Sequence, residues 1–249
     1  MRVDIEELTK FYQGRLGALV TNIIISHLGN AWHNINNFNV LGFGYAAPYL
    51  QNIIDKAARV INFCPNTQGI SYWPNGKKNL SVLGKETDTP FQEAQFDRIF
   101  CAHVLEEAPN PQKTLREIWR ILAPEGEVIF IIANRNSLWS RLDKTPFGHG
   151  RPYSRRQVIR LFENSMFEIM DLKRVLFWPP FATGINKKGA ESLEKIGSKL
   201  WPSFGGLIFV QAKKRLFIEP NIGSPEKMGL REVKSASYFS IEAQKTHKI

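Results

Sequence analysis

Residues 96–135 have the sequence FDRIFCAHVLEEAPNPQKTLREIWRILAPEGEVIFIIANR, and this stretch decides the fold class. Its first segment, 96–102, and its last, 127–133, are short and almost continuously apolar. Between them, residues 111–122 place apolar side chains at helical spacing, and residues 123–126 form a Pro- and Gly-containing turn. Apolar strands joined by an amphipathic helix are typical of a parallel sheet that is covered on both faces.

The flanking sequence continues the same alternation. We predict further strands at 40–41, 59–64, 80–83, 169–177 and 206–212, and helices at 48–58 and 155–164. One or two helices are predicted within 5–29, where apolar residues recur at helical spacing. The sequence therefore predicts an α/β protein with an N-terminal helical cap (1–37), one main domain (38–216) and a polar, flexible tail (217–249).

Composition narrows the classes of protein. The 249 residues carry 33 Lys and Arg against 23 Asp and Glu, a net charge of +10, but the basic residues are spread out and no nucleic-acid-binding motif occurs. The only two cysteines, Cys64 and Cys101, should end strands about 9–10 Å apart, so we predict free thiols. Without a signal peptide or an apolar run long enough to span a membrane, we expect a cytoplasmic protein.

The order of these segments resembles the class I S-adenosylmethionine-dependent methyltransferases, especially the type 11 branch, over roughly residues 38–214. In that family a strand that begins Phe-Asp leads to a helix with Glu-Ile-x-Arg-Ile-Leu and then to Pro-x-Gly. Here Glu117, Arg120, Leu122, Pro124 and Gly126 match this pattern. The resemblance implies a Rossmann-like fold, a mainly parallel seven-stranded sheet with helices on both faces, and S-adenosylmethionine as the cofactor.

The chain is also similar to a narrower group of uncharacterised bacterial methyltransferase-like proteins. The shared motifs are Leu-Gly-x-Gly-Tyr at 41–45, Gly-x-x-x-Trp-Pro at 69–74 and Thr-Pro-Phe-Gly-His-Gly-Arg-Pro-Tyr-Ser at 145–154. This likeness implies the fold and brings no substrate with it.

The resemblance implies a cofactor site at the ends of the first four strands. A glycine loop after the first strand would hold the methionine part, because a backbone without Cβ atoms can approach a ligand closely. The chain departs from the family at the second strand, where Asn62 stands in a region that usually ends in a ribose-binding acid. The loop at 84–91 would contact the adenine ring. The predicted cofactor-binding residues are Leu41, Gly42, Phe43, Gly44, Asn62, Phe63, Glu86, Thr87, Ala102 and His103.

The motif at 145–154 is predicted to lie over the acceptor pocket. His149 would act as a base, Tyr153 as a hydrogen-bond donor and Arg151 as a clamp for an anionic substrate. His103 is a second candidate base, although a structural hydrogen bond is the alternative interpretation. Ser154 also has the position of a helix N-cap. We predict no metal site, since the sequence contains no Cys/His cluster with zinc spacing.

Two hypotheses for function follow. The first is S-adenosylmethionine-dependent methyl transfer to a small molecule, with nucleic acid disfavoured as a substrate. The second is a catalytically silent protein that binds or regulates. It is favoured by the missing acids at the first strand, where Val40 and Leu41 precede the glycines, and at the second strand. In that case the basic helix at 155–160 or the tail would contact a protein or membrane partner. An oxidoreductase fits poorly, because the third glycine and the ribose acid are both absent.

Overall fold

A computed structural model describes residues 3–182, 184 and 186–215, and a seven-stranded sheet forms its centre. The strand order is β3-β2-β1-β4-β5-β7-β6, with β7 antiparallel to both of its neighbours and the other pairs parallel. The predicted Rossmann-like α/β architecture is therefore confirmed. The strands are β1 (Asn39–Gly44), β2 (Arg59–Pro65), β3 (Ser81–Gly84), β4 (Phe96–Ala102), β5 (Leu122–Ala133), β6 (Phe167–Val175) and β7 (Leu207–Lys214).

Helices cover both faces of the sheet. The helices are α1 (Ile5–Gln13), α2 (Arg15–Ala31), α3 (Ala47–Leu50), α4 (Pro111–Ile121), α5 (Arg155–Glu163) and α6 (Lys187–Leu200). Apolar residues of α1, α2, α3 and α6 form one buried cluster with one face of the sheet, and those of α4 and α5 form a second cluster with the other. The central strands are buried on both faces, which explains their continuous apolar sequences.

Three elements differ from the sequence prediction, and one of them, α6, was not predicted at all. The helix expected at 48–58 is only one turn long, α3, and the chain then continues in turns in which Ile53 N–H donates to the Leu50 carbonyl. The turn expected at 123–126 instead lies inside β5, which begins at Leu122. There Glu125 has a left-handed backbone (φ 58°) and the pairing with β4 shifts, so the turn residues form a bulge rather than separating two elements.

The remaining predicted elements are present with small shifts of their ends. Ser154 is the N-cap of α5, and its side chain and that of Gln157 form a reciprocal capping box, as its position in the sequence suggested. Within the described part of the chain, no helix combines the length and the apolar character that a membrane crossing requires. The tail predicted at 217–249 lies outside the described residues.

Candidate functional site

The loops that follow the strands at the carboxyl edge of the sheet enclose a cavity of about 350 Å³. It lies between the segments after β2 and β3 and the start of α4. Its volume is in the range of small-molecule sites, and its position is the one at which open α/β sheets hold ligands. The cavity is lined by Pro65, Asn66, Thr67, Lys85, Glu86, Thr87, Pro109, Asn110 and Lys113.

Two of the predicted cofactor residues, Glu86 and Thr87, line this cavity together. Glu86 is 7% exposed. Lys85 beside it is exposed, and its backbone forms an isolated antiparallel β-bridge with that of Asp88. The buried carboxylate is the only acidic side chain in the cavity lining, and the lysines Lys85 and Lys113 stand at the same cavity. The cavity can therefore present both a carboxylate acceptor and cationic donors to a polar ligand.

The loop that carries Glu86 is fixed by the residues of the family motif. The Glu117 carboxylate on α4 accepts hydrogen bonds from Thr89 N (2.8 Å) and Thr89 Oγ1 (2.6 Å). Arg120 donates to the same carboxylate through Nε (2.9 Å) and one terminal nitrogen (2.6 Å), and also to the Phe91 carbonyl. Desolvation raises the pKa of Glu117, but the hydrogen bonds from Arg120 and Thr89 outweigh it and hold the pKa below its usual value. The hydrogen bonds of Glu117 and Arg120 therefore fix the loop between β3 and β4 on α4.

The prediction of a glycine loop after the first strand is wrong, because Gly42 and Gly44 lie within β1 at its carboxyl end. We keep the name glycine loop for this strand end, which is closely packed by protein atoms. A Cβ at Gly42 would lie 2.4 Å from Leu50 Cδ1 and 2.7 Å from Ala46 Cβ, so the absence of a side chain lets α3 approach the strand. Gly44 has φ +81°, and a Cβ there would lie 2.2 Å from the Ala102 carbonyl oxygen. Both glycines are thus required by the packing of β1 itself.

Helix α1 covers the end of this loop with Tyr12. The Tyr12 ring stacks on Tyr45, the residue after Gly44, at 5.0 Å between centroids. Its hydroxyl is 2.7 Å from the Tyr49 hydroxyl and 2.7 Å from Nε2 of His103. Desolvation raises the pKa of Tyr12 well above its usual value, so the hydroxyl is protonated at neutral pH. The glycine loop and its aromatic neighbours are closed to solvent.

His103 is buried at the centre of this aromatic cluster. It follows β4 with a left-handed backbone (φ 55°), and its ring stacks on Phe147 at 4.8 Å. With Nε2 bonded to Tyr12, the imidazole joins α1, the β4 end and the 145–154 segment. The bond to Tyr12 agrees with the alternative interpretation of His103, in which its role is a structural hydrogen bond and not catalysis.

The other predicted cofactor residues of β1, β2 and β4 are inside the sheet layer. Leu41, Phe43, Phe63 and Ala102 are completely buried in the two core clusters, so only their backbones are available to a ligand. Asn62 is 2% exposed, pairs with Gly42 across the strands and donates weakly to Cys64 Sγ at 3.4 Å. Its side chain does not line the cavity; Asn66, just beyond the end of β2, does.

The acceptor-side residues lie on a segment that packs on the loop after β4. Arg151 N–H donates to the Glu106 carbonyl at 2.7 Å, and the Tyr153 hydroxyl donates to the Leu105 carbonyl at 3.2 Å. Desolvation raises the pKa of Tyr153 to about 12. His149 is half-buried, with Nε2 3.0 Å from the Asp143 carbonyl and 3.8 Å from Glu7 on α1.

Sequence reasoning missed the part that α1 plays at this edge. Tyr12, Tyr49 and Glu107 were not singled out, although Tyr12 joins the His103 cluster and the Glu107 carboxylate accepts from Val3 N at 2.9 Å. The Ile5 N–H also donates to the Gln68 carbonyl in the loop after β2. The helical spacing of Leu8 and Tyr12 signals a buried face of α1, but not which surface buries it.

Cys64 and Cys101 are both free and buried, as predicted. Desolvation raises the pKa of the Cys64 thiol to about 11 and that of Cys101 well above its usual value. Neither thiol is therefore a nucleophile at neutral pH.

Comparison with known proteins agrees with the fold. The methyltransferase domain family matches residues 40–130. A relative in Methanocaldococcus jannaschii, itself uncharacterised, is 25% identical over 139 residues, which are 53% of this chain and 63% of that protein. The ubiquinone biosynthesis O-methyltransferase of Pseudomonas putida is 43% identical over 42 residues, 17% of this chain and 18% of its own. The chain thus spans less than two thirds of either relative.

Among solved structures, the fold is similar to an S-adenosylmethionine-dependent methyltransferase of Archaeoglobus fulgidus. The TM-score is 0.58 at 15% identity, and the match covers 85% of this chain and all (100%) of the other. The strand order with an antiparallel β7, the glycines at the carboxyl end of β1 and the family match over residues 40–130 agree with one another. Residues 40–130 of the chain therefore match the methyltransferase domain family, and the chain has the fold of S-adenosylmethionine-dependent methyltransferases.

Proposed function

We propose that this protein transfers the methyl group of S-adenosylmethionine to a small-molecule acceptor. The observation that carries the proposal is the cavity at the ends of β2 and β3, which is lined by the buried acid Glu86. When bound, S-adenosylmethionine would supply an electrophilic methyl group on a sulfonium centre.

The cavity fits the nucleoside end of this cofactor. The Glu86 carboxylate would accept a hydrogen bond from an adenine amino group, and Thr87 would contribute its backbone N–H. Asn66, rather than Asn62, is placed to contact the ribose, because Asn66 lines the cavity. An amide replaces the usual carboxylate in either case. We expect a loss of affinity, since hydrogen bonds to charged groups are worth about 1.5–3 kcal/mol and neutral ones about 1.

The methionine end requires α1 to move. Gly42 and Gly44 would hold it through their backbones, but Tyr12 and Tyr45 close this edge of the sheet. Opening α1 would break the hydrogen bonds of Tyr12 to Tyr49 and His103. His103 would then face the methionine end as a candidate base for the acceptor.

The segment at 145–154 would contact the acceptor. Arg151 is exposed and would bind an anionic group, and His149 is the second candidate base. Tyr153 would keep its proton and donate a hydrogen bond, because its pKa is about 12. A small acceptor is supported by the resemblance of 42 residues to a ubiquinone biosynthesis O-methyltransferase, whose name states a small-molecule pathway.

Calorimetric titration with S-adenosylmethionine and S-adenosylhomocysteine tests this proposal. We expect both to bind, and Glu86→Gln to weaken binding about tenfold because a charged acceptor is lost. Glu125→Gln, an exposed change in the β5 bulge, serves as the matched control and should bind like the wild type. Gly42→Arg is a poor test, because a side chain there collides with Leu50 and unfolds the loop. Absence of binding at millimolar ligand would contradict the proposal.

The second candidate is a catalytically silent binding protein on the same fold. The closure of the glycine loop by Tyr12 favours it, together with the absence of an acidic residue from β2. If α1 never opens, adenosine would bind in the cavity but S-adenosylmethionine would bind no more tightly than adenosine. Equal affinities for the two ligands would therefore favour this candidate.

A further inference from the structure

Helix α6 and the residues after it expose several large apolar side chains. Ile196 is 48% exposed, Leu200 65%, Trp201 51% and Phe204 63%. Ile196 and Leu200 are one helical turn apart, and Trp201 and Phe204 follow directly. We call these four side chains, with the exposed lysines of α6, the α6 surface. Single exposed apolar residues are common, but four within nine residues form a patch of the kind that marks an interaction site.

The same surface is positively charged. Lys188, Lys195 and Lys199 are exposed and share one face of α6, because their spacing of seven and four residues corresponds to whole turns. Of the two acids on the helix, Glu194 is directed inward and accepts from the backbone N–H groups of Leu176 and Phe177 at 2.8 and 2.9 Å. Its charge is therefore used to hold the helix. The second acid, Glu191, is exposed between Lys188 and Lys195 and offsets part of their charge, so the lysines leave a net positive surface.

The surface is held rigidly, so its apolar groups cannot fold inward. The opposite side of α6 is packed on the protein: Gly197 is buried, and a Cβ there would lie 2.3 Å from Phe177 Cβ. The segment after the helix is fixed by side-chain hydrogen bonds to its backbone, since the Arg174 guanidinium donates to the Pro202 carbonyl at 3.0 Å and the Asn134 amide to the Ser203 carbonyl at 3.1 Å. The exposed aromatic side chains are thus presented on an ordered support.

We propose that the α6 surface docks the protein on the surface of an anionic phospholipid bilayer. Lysines attract acidic headgroups, and Trp, Phe and Leu side chains next to them insert at the boundary between headgroups and acyl chains. A protein partner fits less well, because lysines are depleted at protein interfaces. Nucleic acid fits less well because Ile196 and Leu200 add nothing to phosphate binding.

Helix α5 provides an internal comparison. It is also basic, with exposed Arg155 and Arg156, but its apolar residues Val158 and Phe162 are completely buried in the core. Helix α5 therefore presents positive charge but no exposed apolar side chains that could insert into a bilayer. If overall positive charge alone caused adsorption, α5 and α6 would contribute alike.

Flotation with lipid vesicles tests the proposal on the full chain. We expect the protein to bind vesicles of phosphatidylcholine with 30% phosphatidylglycerol and not vesicles of phosphatidylcholine alone. Substitution Trp201→Ser with Phe204→Ser should weaken binding about tenfold or more at constant charge. Lys188→Gln, Lys195→Gln and Lys199→Gln combined should weaken it about a hundredfold. The control, Arg155→Gln with Arg156→Gln, should leave it within about twofold.

Several outcomes would overturn the proposal. The first is an absence of binding to the anionic vesicles, and the second is equal weakening by the α5 and α6 charge variants, which would indicate non-specific adsorption. If binding is unchanged in Trp201→Ser with Phe204→Ser, the apolar groups do not insert. A dimer in sedimentation velocity that these two substitutions dissociate would assign the surface to a second copy instead. Thermal unfolding at the wild-type temperature confirms that each variant is folded, since all substituted side chains are exposed.

Discussion

At the scale of single residues, Glu117 and Arg120 of the family motif hold the loop between β3 and β4 in place. Glu117 and Arg120 are three residues apart on α4, and both contact the loop that carries Glu86. Their spacing in the sequence marks them as neighbours on one helix face. Their common target, the backbone of Thr89 and Phe91, is visible only in the folded chain.

Glu117→Gln should destabilise the protein by about 2 kcal/mol at pH 7, because the charged acceptor for Arg120 and Thr89 is lost. The folded-state pKa of Glu117 lies below the unfolded value, so this stability is present above pH about 4.3 and is lost as the pH falls below it. Urea unfolding at pH 7 and pH 3 measures both effects. Glu163→Gln, an exposed control, should change nothing. A difference from wild type that persists undiminished at pH 3 would contradict the explanation.

At the scale of elements, α1 is the part of the chain whose position decides what the site can do. It holds the carboxyl edge through Val3, Ile5 and Tyr12, which contact the loops after β4 and β2 and the His103 cluster. Apolar packing adds to these hydrogen bonds, since Leu8 and Tyr12 are buried in the core cluster on this face of the sheet. Opening α1 therefore costs both the hydrogen bonds and this buried contact.

Tyr12→Phe should make cofactor binding tighter while it lowers stability. The variant loses the hydrogen bonds to Tyr49 and His103, which exist only while α1 is closed, so the open population increases and the apparent affinity for S-adenosylhomocysteine rises by roughly threefold to tenfold. Calorimetry measures the affinity and denaturant unfolding measures the stability. Tyr72→Phe, on an exposed side chain, is the control. Weaker binding in Tyr12→Phe would mean that α1 contributes to the bound state instead.

At the scale of the whole molecule, the two ends of the cofactor have different requirements. In the proposed function, the nucleoside end would face an existing cavity, whereas the methionine end would need a rearrangement of the N-terminal helix. Ligand binding would then be coupled to the conformation of α1, and part of the binding free energy would be spent on opening it.

S-adenosylhomocysteine should raise the unfolding temperature. At about one hundred times its Kd it adds about 2.7 kcal/mol to the stability of the folded state, which corresponds to roughly 5–10 °C for a chain of this size. Differential scanning calorimetry measures the shift. Adenosine should stabilise the protein equally in the wild type and in Tyr12→Phe, because its site does not involve α1. If Tyr12→Phe changes the shift in unfolding temperature that adenosine causes, the adenosine site is not independent of α1.

The sequence by itself determined the architecture of this protein. Continuous apolar strands, an amphipathic helix at 111–122 and turns rich in Gly and Pro are local signals, and their order restricts the topology to a parallel sheet covered on both faces. The free thiols and the Ser154 cap also follow from local pattern and spacing. The loop with Glu86 and Thr87, in contrast, was predicted from the resemblance to the methyltransferase family and not from a local pattern.

Only the tertiary structure decided how the candidate site is arranged. It placed Asn62 inside the sheet layer and Asn66 at the cavity, because strand register sets which side chains reach the edge. It also put Tyr12 on His103, a contact between residues 91 positions apart, and exposed Trp201 and Phe204 beside the lysines of α6. Such contacts depend on how elements pack over long separations, and no local pattern of apolar and polar residues encodes them.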